Sequence, residues 1–203
     1  MTDMLPHDAP SAEDRDTGAL AYRHRPKPVG FENAFRLEGD RLVVDSGRKV
    51  STVALAAVES LRLTYEPKNV TSKGFRTTLL LADGRKLSLT NLDWRTMVEA
   101  RREDENYRRF VLALVAAVAK ANPRARLLAG RSRLSWLLLV AVTSLTVMGL
   151  AAFSLRASMQ AAPAAALLGL AVLAVTLWQL MPMIRRNRPR EFAPDAVPPD
   201  LLP

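Results

Sequence analysis

Two uncharged apolar runs constrain this chain more than any other feature. Ser135 to Leu155 (SWLLLVAVTSLTVMGLAAFSL) carries no charge over 21 residues, and Ala157 to Ile184 carries none either. A helix rises about 1.5 Å per residue, so each run can cross the roughly 30 Å hydrocarbon core of a bilayer. Soluble helices of this length normally show a polar stripe, which both runs lack. They predict two membrane spans at about 135–155 and 163–183, with Pro163 in the first turn of the second. Residues 134–184 hold one charged side chain, Arg156, while the other 152 residues hold 48. The expected molecule is a soluble head followed by a two-helix transmembrane hairpin.

The flanks orient the hairpin. Arg124, Arg126, Arg131 and Arg133 precede the first span, Arg185, Arg186, Arg188 and Arg190 follow the second, and the connection offers only Arg156. By the positive-inside rule both termini face the cytoplasm. These eight arginines are candidate topology determinants and contacts for anionic lipid. Trp136 and Trp178 are candidate interface aromatics on that same side. Neither span contains the ionisable interior groups that ion and proton paths require, so transport by this chain alone is not expected. Ala161, Ala165 and Gly169 form a row of small residues suited to close helix approach, within the hairpin or between copies.

The remaining residues divide into four regions. Residues 1–29 are rich in Pro, Asp and Arg without apolar periodicity, and read as a disordered arm. Residues 30–123 read as a folded α+β head. Residues 124–133 form a basic juxtamembrane linker of net charge +4, and 185–203 a proline-rich cytoplasmic tail. Within the head, FRLE, a Gly39-Asp40 turn and RLVVD predict a hairpin, and Leu61 to Tyr65 alternates as a strand. Asp83-Gly84 between Phe75–Ala82 and Arg85–Thr90 predicts a second hairpin with a type I′ turn. Tyr107, Phe110, Val111, Leu114 and Val118 recur at helical spacing and predict a helix over 104–121, stopped by Asn122-Pro123. Its stretch from Phe110 to Ala119 is apolar on every side, which suits a helix plugging a small barrel or one with a second contact. Residues 92–102 leave an irregular strand and an extra helical turn open.

The order of these patterns resembles the pleckstrin-homology-like domains of bacterial membrane proteins. The likeness lies in FRLEGDRLVVDSG, KVSTVALAAVESLRL, LLLADGRKLSL and YRRFVLALVAAVAKANP, covering about Phe31–Pro123. It implies a small antiparallel barrel or sheet capped by one C-terminal helix. The whole chain also resembles small two-span proteins of high-GC bacteria, in keeping with 23 Arg against 6 Lys. Domains of this superfamily bind inositides, peptides or proteins. The inositide subset is recognised by spaced basic residues around the first hairpin, where this chain also places Glu38, Asp40 and Asp45.

Function classes narrow accordingly. Cysteine is absent, which excludes disulfides, thiolate catalysis and the usual zinc sites. Both histidines, His7 and His24, fall in the arm, and no phosphate loop, metal-ligand spacing or nucleophile motif occurs. The expectation is a non-enzymatic protein without cofactor, metal or nucleic-acid partner. It reads as a membrane-anchored binding or scaffolding module with a protein partner, and a homo-oligomer is compatible. An accessory subunit of a larger transporter or respiratory complex is the alternative, followed by a head that binds anionic lipid. Candidate partner contacts are Lys68, Lys73 and Arg76 in and beside the polar loop 66–74.

Overall fold

The computed structural model describes residues 20–26, 29, 31–67, 73–94 and 100–203. The chain is α+β, with two main sheets, one short helix and two long apolar helices. The first sheet is an antiparallel meander of β1 (Leu20–His24), β2 (Asn33–Glu38), β3 (Arg41–Asp45) and β4 (Val50–Ala54). Its register sets Tyr22 opposite Phe35, Phe35 opposite Val44, and Leu42 opposite Val53, so one face is a continuous apolar surface. A 3-10 turn at Leu55–Ala57 then passes the chain into β5 (Val58–Tyr65) of the second sheet.

There β5 pairs antiparallel with β6 (Phe75–Leu81), and β6 with β7 (Lys86–Thr90). The β6–β7 loop is Ala82-Asp83-Gly84, closed by the Leu81 N–H donating to Arg85 O, with Gly84 at φ 80°. Three loop residues ending on a left-handed glycine replace the expected two-residue type I′ turn. Within residues 92–102 the described positions form a strand pair, β8 (Leu92–Trp94) with β9 (Ala100–Arg102). Helix α1 (Asp104–Ala121) follows and buries Tyr107, Phe110, Val111, Leu114, Val115 and Val118 against the sheets. Its opposite side shows mainly Ala116 and a partly exposed Leu112, so the all-round apolar composition reflects small residues facing out.

Three segments depart from the sequence reading. The assigned arm contributes β1, in which Tyr22 and His24 are buried and Leu20 packs against the core. Its two-residue alternation is real but only five residues long, between prolines and charges that mask it. The assigned linker contains β10 (Arg126–Ala129), which runs parallel to β5 and buries Leu127 and Ala129. The tail, finally, returns to the head. There β11 (Arg190–Glu191) pairs with β10, a 3-10 turn forms at Pro199–Leu201, and Leu201 and Leu202 are 1% and 6% exposed in the core. Burying a leucine side chain contributes about 2 kcal/mol, which a solvated tail would forgo.

Helices α2 (Arg133–Met159) and α3 (Pro163–Arg186) are each long and apolar enough to cross a membrane. They pack side by side in opposite directions. Near the connection Gly169 lies against Ser154 and Phe153, and at the other end the Trp136 Nε1–H donates to Ile184 O at 3.0 Å. Ala161 falls outside α3, in the connection, with φ 54°, so the expected row of small residues is broken there. The buried small residues are Ala157 on α2 with Ala166 and Gly169 on α3, while Ala165 is half-buried.

Candidate functional site

The region with the most unusual chemistry is the junction where α2 leaves the head and α3 returns to it. Its fixed point is Asn187, fully buried just after α3. The Tyr65 N–H donates to Asn187 Oδ1 at 3.0 Å, and Asn187 Nδ2 donates to Tyr65 O at 2.7 Å. The carboxamide thus completes the end of β5 as a neighbouring strand would, satisfying two backbone groups that burial would otherwise leave unpaired. The Asn187 carbonyl accepts from the Arg131 N–H at 3.0 Å, linking the chain before α2 to the chain after α3. Gly130 makes this approach feasible. At φ 77° its missing Cβ would stand 2.5 Å from both the Asn187 and Arg188 carbonyl oxygens.

Around this knot lie the arginines that sequence reasoning singled out, in four different settings. Some are neutralised: Arg126 pairs with Glu191 across β10–β11, with Nε 3.1 Å from Oε1, and Arg190 pairs with Asp200. Arg186 is stacked, its guanidinium 4.8 Å from the centre of the Tyr65 ring. Arg124, Arg185 and Arg188 are exposed. Arg131 and Arg133 line a cleft of about 370 Å³ together with Arg62, Arg126, Arg190 and Ser132. A second hollow of about 430 Å³ shares Arg62, Arg131 and Ser132 and extends past Arg76 and Lys86. Arg76 itself is held by Glu66 at 3.2 Å.

Arg62 was not among the residues expected from the sequence. It projects from the middle of β5 and donates from Nη1 to Gly130 O at 3.0 Å. Burial, and next the neighbouring Arg126 charge, push its guanidinium below its ordinary value. The signal that could have found it was an arginine between two buried leucines in the strand Leu61-Arg62-Leu63. Arg131 Nε is buried without a hydrogen-bond partner. Ser132 caps α2, its Oγ accepting from the Ser135 N–H at 3.3 Å.

The other candidates lie elsewhere. Lys68 is outside the described residues. Lys73 is exposed, and its carbonyl accepts from Asn91 Nδ2 at 3.2 Å. Trp136 is engaged by α3 as described, whereas Trp178 is 69% exposed. Among the described residues no three or more His, Asp or Glu side chains converge as metal ligands would. His24 is buried rather than solvated, stacked between Tyr22 and Phe35 at ring distances of 5.5 and 5.7 Å. Neither of its ring nitrogens has a partner, and burial pushes its pKa from 6.5 down to about 4, against a smaller upward pull from Asp93. No protein-family model and no curated protein sequence matches the chain.

Proposed function

We propose that this chain is a non-enzymatic, membrane-anchored binding or scaffolding module at the cytoplasmic face of a bacterial inner membrane. The observation that carries the reading is the union of two outward-facing apolar helices with a head that grips both of their ends. Leu145, Met148 and Leu168 are 72%, 67% and 64% exposed along helices with no polar side to offer water. Because residues 187–202 pack into the head, both ends of the helix pair lie on one side of any membrane that the pair crosses. The arginine-rich flanks assign that side to the cytoplasm. Four antiparallel strands, then three, then one helix support a pleckstrin-homology-like reading of residues 20–121, a scaffold used for binding rather than chemistry. Anchoring raises the effective concentration of the head near other membrane proteins, so a weak contact would suffice to recruit one.

The absence of native cysteine makes the test clean. Lys49→Cys in the head and Gln160→Cys in the helix connection each give a single thiol at an exposed position. In intact cells with a permeabilised outer layer, an impermeant maleimide is expected to label Gln160→Cys and to spare Lys49→Cys until the inner membrane is opened. Recovery of the chain in the soluble fraction refutes the membrane reading, and labelling of Lys49→Cys from outside refutes the cytoplasmic placement of the head. Crosslinking in the membrane and purification in mild detergent then test the binding role. A protein captured in stoichiometric amount by the wild type and lost on unfolding the head supports it, and purification as an uncomplexed monomer opposes it.

A further inference from the structure

We propose that the cleft between β5, β10 and the start of α2 binds the phosphodiester group of one anionic phospholipid, from the leaflet that faces the head. The proposal rests on the reading that α2 and α3 cross a membrane.

The first argument is charge. Five arginines and one glutamate line the cleft. Glu191 is occupied by Arg126, and Arg190 is occupied by Asp200. That leaves Arg62, Arg131 and Arg133 around one hollow without a carboxylate partner among the described residues. Arg62 donates to a single carbonyl, and Arg131 keeps a buried Nε with nothing to donate to. Like charges brought together without counter-charge cost stability unless an anion joins them, and guanidinium groups match the oxygens of a phosphate in planar, two-pronged fashion.

Position is the second argument. Arg131, Ser132 and Arg133 directly precede an α2 surface that is uncharged from Leu134 to Leu155. Arg190 follows α3 by four residues. The hydrocarbon boundary therefore falls within about one helical turn of the cleft, and the cleft lies at headgroup depth. The start of α2 borders it through Ser132 and Arg133. A lipid whose phosphate sits there can lay its chains along the exposed Leu134 and Leu138 of α2. A free anion could satisfy the same arginines but would gain nothing from that adjoining apolar wall, which is why the lipid is the favoured source.

Native mass spectrometry of the full-length protein released from nanodiscs tests the site. The discs contain phosphatidylcholine alone, or phosphatidylcholine with phosphatidylglycerol. The wild type is expected to keep one phosphatidylglycerol under activation that strips phosphatidylcholine. Arg62→Ala and Arg131→Ala are each expected to lower that retention about tenfold, the loss of one charge-assisted pair. Arg133→Ala is a second variant that leaves the fold untouched, because its side chain is exposed on the first turn of α2. Arg41→Ala, on β3 and remote from the cleft, is expected to behave as the wild type. Equal retention of both lipids, or retention unchanged in all three cleft variants, overturns the proposal while leaving the membrane reading intact. Displacement of phosphatidylglycerol by millimolar inorganic phosphate would overturn the lipid source in favour of a free anion. A chain that stays soluble without detergent overturns the membrane reading and the lipid site together.

Discussion

Substituting His24 by phenylalanine should remove the share of the head's acid sensitivity that the buried imidazole contributes. The imidazole stacks between Tyr22 and Phe35 with interplanar angles of 23° and 13°, and only 1% of the residue is exposed. In that setting burial opposes the charged ring and holds its pKa near 4, whereas an unfolded chain titrates near 6.5. The depressed native value means that the unfolded state binds the proton first. Its contribution to stability is therefore full above pH 6.5 and is lost as pH falls toward 4. At about 1.4 kcal/mol for each tenfold change in proton affinity, the move from 6.5 to about 4 amounts to about 3 kcal/mol. Most of that is already gone at pH 4.5. A phenyl ring fits the same aromatic slot and also removes two buried nitrogens that have no partner, each costing about 1 kcal/mol or more. Urea unfolding of the full chain in mild detergent, followed by near-ultraviolet circular dichroism at pH 7 and pH 4.5, supplies the comparison. His24→Phe should match or exceed the wild type at pH 7 and exceed it by a further 2 to 3 kcal/mol, roughly, at pH 4.5. Parallel losses for the two proteins, or a ring resonance of His24 that titrates above pH 6, would refute the reasoning.

Other perturbations probe the junction and the core. Asn187→Ala leaves the Tyr65 N–H and carbonyl unpaired in a buried setting and should cost about 3 kcal/mol, read as faster amide exchange at Tyr65. Gly130→Ala and Gly84→Ala place the same residue at φ 77° and 80°, but only Gly130 has carbonyl oxygens 2.5 Å from the new Cβ. Thermal melting should show a loss of about 1 kcal/mol at Gly84 and distinctly more at Gly130, and equal losses would remove the steric argument. Leu201→Asp puts a carboxylate where 1% of the leucine is exposed, and should lower the urea midpoint of the head by an amount equivalent to about 3 kcal/mol or more. An unchanged midpoint would mean that the tail does not belong to the core in solution.

What could be read from the sequence followed from the length and regularity of each signal. The two apolar helices extend over 27 and 24 residues, and α1 over 18, so their periodicity or lack of charge stands out against any flank. The strands β2 and β3, and β6 and β7, are joined in pairs by glycine-bearing turns, and β5 alternates over Leu61-Arg62-Leu63. Elements of two to five residues held by distant partners did not show. In β1 the apolar residues are a leucine, a tyrosine and an uncharged histidine in a basic stretch. In β10 the pairing is parallel, with a strand 66 residues earlier in sequence at Arg126 and Ser60. Leu201 and Leu202 follow a run of prolines that reads as open chain. The cleft was half legible, since its arginines flank the apolar helices. Arg62 was not, because its role depends on β10 coming to lie beside β5. Nothing local told an arginine free to meet a ligand, such as Arg131, from one already matched, such as Arg126.

The return of residues 187–202 to the head also governs when this protein can finish folding. The hydrogen bonds between Tyr65 and Asn187 close a loop of 122 residues that contains both apolar helices. During synthesis the head emerges long before its last strand, its last core leucines and the carboxamide that completes β5. Until residue 202 has left the ribosome and α3 has turned back, the Tyr65 end of β5, the outer edge of β10 and the pocket for Leu201 stand open. Contacts of such long range form late, and the incomplete head meanwhile offers an unpaired strand edge to other chains. On the proposed reading that α2 and α3 cross a membrane, a chain whose second helix failed to insert would carry its tail to the wrong side of the bilayer and keep that edge exposed, so that closure of the head would double as a readout of correct insertion.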